Sequence, residues 1–74
     1  MILPTKHISV ERSLLGLGAT LLFHLEHPLT VSKLWEEARN EPNVRTFDRF
    51  VLALDLLYLL GAIELTRGQI RRMS

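Results

Sequence analysis

The stretch that decides the fold is TFDRFVLALDLLYLLGAIE, which runs from Thr46 to Glu64. Thr46 can cap the start of a helix through its hydroxyl group. Asp48 adds negative charge to the first turn, where the helix dipole favours it. Gly61 can end the helix, because glycine adopts the left-handed conformation at little cost. These signals predict a helix over about residues 46–60.

This predicted helix is apolar on two faces. The broad face that we expect to pack into the core comprises Phe47, Phe50, Val51, Leu54, Leu57 and Tyr58. A second apolar stripe, nearly opposite the first, comprises Leu52, Leu56, Leu59 and Leu60. A helix that is apolar nearly all round is buried in a core, against a partner or in a membrane. The apolar run is shorter than the roughly 20 residues that a membrane span needs.

The second stripe is therefore the first candidate site. If its leucines were exposed, the protein would forgo about 1.5–3 kcal/mol of burial for each of them and would carry an adhesive patch. We predict a partner-binding site made of Leu52, Asp55, Leu56, Leu59 and Leu60. The alternative is that the rest of the domain covers these side chains.

Length and composition bound the remaining possibilities. A chain of 74 residues forms one small domain with a marginal core. The net charge of +1 indicates neither a strongly basic nucleic-acid binder nor an acidic tail. There is no cysteine, which excludes disulfides and thiolate metal sites and fits a cytoplasmic location.

The segments before and after the central helix indicate the fold class. Residues 1–8 are predicted to form an arm or a short edge strand, because Pro4 interrupts them. Helices are expected at about 10–25 and 30–40, with Thr30 as the cap of the second. Residues 62–72 predict a β-hairpin that turns at Arg67-Gly68. The prediction is a single mainly α domain with a small β-hairpin (α+β), similar to a winged helix-turn-helix.

Two glycines inside the first helix require an explanation. Gly16 and Gly18 each cost about 1 kcal/mol relative to alanine at such positions. Close approach of another helix or of the N-terminal arm would account for both, and contact with a ligand is the less favoured alternative.

No arrangement of residues indicates catalysis. His24 and His27 lie one helical turn apart, but zinc needs three or four ligands and only His7 remains elsewhere in the chain. We interpret them as surface histidines at a helix end. No nucleophile motif, phosphate loop or dinucleotide fingerprint is present. The chain is therefore predicted to be non-catalytic, with no metal and no cofactor.

DNA binding is the main alternative function, because winged helices commonly place the third helix in the major groove. Base recognition requires basic or amide side chains on that helix. Here the exposed face is expected to present two carboxylates and several leucines beside Arg49, which disfavours groove reading. Three arginines of the predicted wing, Arg67, Arg71 and Arg72, can contact phosphates, or they can simply keep the hairpin soluble. The sequence leaves both possibilities open.

Several segments together resemble a known family. The opening LPTKHI, the ERSLLGLGA and VSKLW segments, FDRFVLALDLLYLLGAIEL and the final GQIRR are similar to the small type-six middle component of ABC three-component systems. The resemblance covers nearly the whole chain, and the block from Thr46 to Glu64 is its most specific part.

The resemblance implies a winged-helix accessory subunit in a bacterial conflict or anti-phage operon, in the manner of Lamassu-type systems. Its implied partners are an SMC/Rad50-like ABC ATPase and a larger effector-bearing component. Weak nonspecific DNA contact within the complex is compatible with this function, and membrane association is not expected. The resemblance implies no active-site residues. The competing hypothesis is a winged-helix DNA-binding transcriptional regulator.

Overall fold

Three helices and a three-stranded antiparallel sheet form the domain in this computed structural model, which describes residues 5–73 and the side chains from Ser13 to Met73. In chain order the elements are α1 (Thr5–His24), β1 (Leu29–Thr30), α2 (Val31–Ala38), α3 (Phe47–Leu59), β2 (Ile63–Thr66) and β3 (Gln69–Arg72). The strands lie in the order β1-β3-β2. The predicted mainly helical α+β class is confirmed, and the order of the elements is winged-helix-like.

Threonine N-caps define where α2 and α3 begin. The Thr30 hydroxyl accepts a hydrogen bond from the backbone N–H of Lys33 at 3.1 Å at the start of α2. The Thr46 hydroxyl does the same for the N–H of Arg49 at 3.2 Å at the start of α3. Each bond satisfies a donor that the first turn of a helix leaves without a partner.

The end of α3 is also specified by residues within a few positions of it. Gly61 has φ 75°, which only glycine adopts readily. Its N–H donates to the carbonyl of Tyr58 at 3.0 Å, and the N–H of Ala62 donates to the carbonyl of Leu57 at 2.8 Å. This pair of bonds is the Schellman motif, which turns the chain out of α3 and directly into β2.

The predicted hairpin is confirmed at the predicted turn. Arg67 and Gly68 have φ 56° and 77°, so both central residues are left-handed, as a type I′ turn requires. Thr66 and Gln69 close the hairpin, and β2 and β3 pair in register from there to Ile63 and Arg72.

The N-terminal prediction is wrong for the part that the structure describes. Helix α1 begins at Thr5 rather than near Val10, so residues 5–8 are helical and form neither an arm nor an edge strand. After Pro4 the sequence contains no helix breaker before Gly16, and a proline directly before a helix does not prevent it from forming. Residues 1–4 of the predicted arm lie outside the described residues.

The third strand comes from another part of the chain. Leu29 and Thr30 pair with Ile70 and Gln69, so that β1 joins the free side of β3. Two residues carry no detectable alternation, and Thr30 is at the same time the cap of α2. Pairing with β3 therefore defines this strand, not a local pattern.

The core lies where all three helices meet the sheet. Its buried members are Leu17, Leu21, Leu25, Leu34, Ala38, Val44, Phe50, Ala53, Leu57, Ile63 and Ile70. The inward face of α3 differs from the predicted one, because Ala53 is fully buried while Phe47 and Tyr58 are exposed. Leu54 and Leu56, which were assigned to opposite faces, are both half-buried.

A close contact between α1 and α3 lies on the buried side of α3. A Cβ atom at Gly18 would lie 3.1 Å from Cδ2 of Leu57, so α1 and α3 approach closely at this point. Gly18, Ala53 and Leu57 are all buried, which is consistent with this side of α3 facing the core. The predicted explanation, close approach of another helix, therefore holds for Gly18. At Gly16 a Cβ atom would meet no described atom within 4 Å, so no close approach by the described part of the chain accounts for that glycine.

Candidate partner-binding surface

A continuous set of leucines faces solvent along α3 and the adjacent part of α1. We call it the leucine surface, and it comprises Leu14, Leu15, Leu52, Leu56, Leu59 and Leu60. Leu59 is 81% exposed, Leu60 63% and Leu52 53%, whereas Leu56 is half-buried. Three of the four leucines predicted for the partner-binding stripe of α3 are therefore largely exposed to solvent.

Helix α1 supplies the part of this surface that the sequence prediction lacked. Leu14 and Leu15 line a shallow cavity of about 200 Å³ together with Leu56 and Leu60. Leu15 is 52% exposed, whereas Leu17 and Leu21 on the same helix are fully buried. The signal was present, because at 100° per residue Leu15 lies more than 90° from Leu17 and Leu21.

A second apolar region lies between α3 and the sheet. We call it the sheet groove, and it has a volume of about 400 Å³ lined by Val31, Leu54, Asp55, Tyr58, Ile63, Leu65 and Ile70. Tyr58 and Leu65 are exposed there. The groove exists because α3 rotates Tyr58 away from the core. Asp55, which was predicted as part of the partner-binding site, is exposed and lies on the side of α3 between the groove and the leucine surface.

The charges on the solvent face of α3 are negative. Asp48 and Asp55 are both exposed and lie seven residues apart, hence on one side of the helix. Arg49 was expected to accompany them but turns inward instead. Its guanidinium donates hydrogen bonds to the Ser13 hydroxyl and, at 3.3 Å, to the carbonyl of Asn43. The exposed face of α3 therefore combines carboxylates and leucines, which suits neither phosphates nor base edges.

The three wing arginines do not form one cluster. Arg71 pairs with Glu64 at 3.4 Å on one face of the hairpin. Arg72 points to the opposite face and donates to the carbonyl of Leu22 at 3.4 Å. Arg67 is exposed at the turn. Phosphate contact by Arg67, Arg71 and Arg72 stays a prediction, and two of the three already contact the protein itself.

His24 has a structural position that the sequence interpretation missed. Its Nε2 atom lies 2.8 Å from Glu41 and its Nδ1 atom 3.5 Å from Glu37, so it connects the end of α1 with α2 and the following linker. His27 is exposed nearby. Within the described residues, no group of three or more histidine and acidic side chains is arranged to hold a metal ion. The contacts of His24 therefore link α1 to α2 and to the linker that follows α2.

Comparison with known proteins gives one match. The family model described as ABC-three component (ABC-3C) system Middle Component 6 matches residues 3–73. No curated protein and no solved structure shows a significant match. The middle-component resemblance of the sequence motifs is thereby confirmed. In the part of the chain that the structure covers, no helix is long and apolar enough to cross a membrane.

Proposed function

Since the chain belongs to the Middle Component 6 family of ABC-three component systems, we propose that it is a non-catalytic accessory subunit that binds the other components through its leucine surface. The partners in this proposal are an SMC/Rad50-like ABC ATPase and an effector-bearing component. The setting is a bacterial anti-phage complex of the Lamassu type in the cytoplasm. The subunit would help to hold that complex at rest until invading DNA is sensed.

One observation carries the proposal: the exposure of leucines on a helix that also supplies the core. A 74-residue domain has little apolar area to spare, because a large share of its surface stays in water after folding. Full burial of an exposed leucine side chain contributes about 1.5–3 kcal/mol, and Leu52, Leu59 and Leu60 each forgo more than half of this by staying exposed. Burial against a partner recovers this free energy, and contiguous patches of this kind mark interfaces.

The leucine surface can be tested by one substitution. We expect Leu59→Asp to abolish co-purification of the chain with the ATPase and effector components expressed from the same operon. The free domain should melt within a few degrees of the wild type, because Leu59 is 81% exposed and surface substitutions usually change stability by less than about 0.5 kcal/mol. The measurements are a pull-down of the three components and a thermal melt of the purified subunit.

The matched control is Leu65→Asp, which places the same carboxylate on an exposed leucine of the sheet groove. This variant should co-purify like the wild type. If Leu59→Asp co-purified with the other components as well as the wild type does, the proposed surface would be wrong. If the wild-type chain itself failed to bind either component, the accessory function would be wrong.

DNA binding gives a separate prediction. At physiological salt we expect the isolated domain to bind duplex DNA at most weakly and without sequence preference, because exposed carboxylates on α3 repel phosphates. Fluorescence anisotropy with duplexes of different sequence measures this directly. Nanomolar and sequence-selective binding would instead support the transcriptional regulator.

A further inference from the structure

We propose that the leucine surface binds one α-helix of the partner, and that this helix carries an apolar heptad seam flanked by basic residues. The inference rests on the proposed function and specifies the chemistry of its partner. It follows from the spacing of the leucines on α3 and from the negative charges beside them. Those charges disfavour nucleic acid, anionic lipid and a second copy of this chain as the binding partner.

The spacing of exposed Leu52, half-buried Leu56 and exposed Leu59 is that of a coiled-coil seam. Leu52, Leu56 and Leu59 are separated by four and then three residues, which corresponds to heptad positions d, a and d. Residues with this spacing form a nearly straight line along a helix, and a second helix can pack its own side chains between them. The seam runs over about 10 Å of α3 at 1.5 Å per residue, or two turns.

The charges follow the same heptad. With Leu52 and Leu59 at d, Asp48 and Asp55 both occupy g positions, on one edge of the seam. Both are exposed, and neither forms an ion pair with any side chain between Ser13 and Met73. Arg49, the one cation in the same stretch, is directed inward to Ser13 and Asn43. Charged g positions select the partner in coiled coils, and two aspartates select lysine or arginine.

The same charges exclude the other occupants. Nucleic acid and anionic lipid surfaces are repelled by Asp48 and Asp55. A second copy paired antiparallel would bring the two aspartate edges against each other. A second copy paired in parallel would place each carboxylate against e positions, which here are Ala53 and Leu60 and offer no cation. A different helix with a basic flank is therefore the occupant that fits.

Reversing one charge tests this inference. We expect Asp55→Lys to weaken binding of the purified subunit to the purified ATPase and effector components about tenfold, since an attractive pair becomes a repulsive one. Binding of the wild type should weaken as salt is added, and binding of Asp55→Lys should weaken less or strengthen. Glu36→Lys is the matched control, because Glu36 is an exposed acid on α2 away from the seam. It should leave the affinity unchanged.

A photo-crosslinking residue in place of Leu59 identifies the contacted segment. We expect the crosslinked peptide to come from a helix of a partner component with apolar residues at heptad spacing and lysines or arginines beside them. Crosslinks to a strand, to a loop or to a second copy of this chain would overturn the inference. So would an unchanged affinity of Asp55→Lys when Leu59→Asp abolishes binding, a result that leaves the proposed function intact. If neither Leu59→Asp nor Asp55→Lys weakened binding, both this inference and the leucine surface would be wrong, whereas the accessory function would fail only if the wild-type chain bound neither component.

Discussion

Phe50→Ala unfolds the isolated domain at room temperature: this is the largest stability effect that we expect from a single substitution. Phe50 has no exposed surface and packs its ring 5.2 Å from that of Trp35. Truncating a buried phenylalanine to alanine costs about 3–5 kcal/mol, because the burial is lost and a cavity is left behind. A single core in a domain of this size rarely supplies more than about 3–5 kcal/mol in total. Far-UV circular dichroism and a urea titration measure the loss.

The control for this substitution is Phe23→Ala. It removes the same side chain from a position that is 81% exposed, and it should change the free energy of unfolding by less than about 0.5 kcal/mol. If Phe50→Ala melts cooperatively near the wild-type temperature, the aromatic cluster around Trp35 is not the centre of the core.

Gly18→Leu should separate α1 from α3 and destabilise the domain by about 1–3 kcal/mol or more. Even a Cβ atom at this position would lie 3.1 Å from Cδ2 of Leu57, and Leu57 is itself buried. A four-carbon side chain has no space there unless the helices move apart. The expected result is a fall of the melting temperature by roughly 5–20 °C, since 1 kcal/mol corresponds to about 4–8 °C in a domain of this length.

Gly16→Leu is the matched variant, two residues earlier in the same helix. Among the residues that the structure describes, no atom lies within 4 Å of a Cβ at Gly16, and leucine is a better helix former than glycine by roughly 0.5–1 kcal/mol. We expect this variant to melt at the wild-type temperature or a few degrees above it. Equal destabilisation by the two substitutions would show that helix packing is not what distinguishes the glycines.

Prediction from the sequence succeeded where the signals are local. Thr46 caps α3, Gly61 ends it, and Arg67-Gly68 turns the hairpin, as the residue types indicate. Each of these positions acts on backbone groups within a few residues, so neighbouring sequence is sufficient to specify it. The exposure of Leu52, Leu59 and Leu60 was one of the two outcomes that the sequence left open, and it is the one that the partner-binding prediction requires.

The remaining part of the candidate site could not be read from α3 alone. Leu14 and Leu15 belong to the leucine surface only because α1 packs beside α3 at that end. Arg49 leaves the solvent face because Ser13 and Asn43 offer acceptors on the other side. Both arrangements depend on residues of α1, including Ser13, that are distant from α3 in the sequence. The periodicity of α3 alone therefore could not predict them.

The sequence by itself determined where the second helix begins, where the third begins and ends, where the hairpin turns, and that α3 is apolar on two sides. The tertiary structure decided which of these sides is buried. Gly18 packs against Leu57, Ala53 on α3 is buried in the core, and Tyr58 and Phe47 are exposed. The physical reason is that the apolar arc of α3 is wider than the area that its neighbours can cover. Which part of that arc stays outside the core depends on how α1 and the sheet pack against α3, and these contacts are not visible in the sequence of α3 alone.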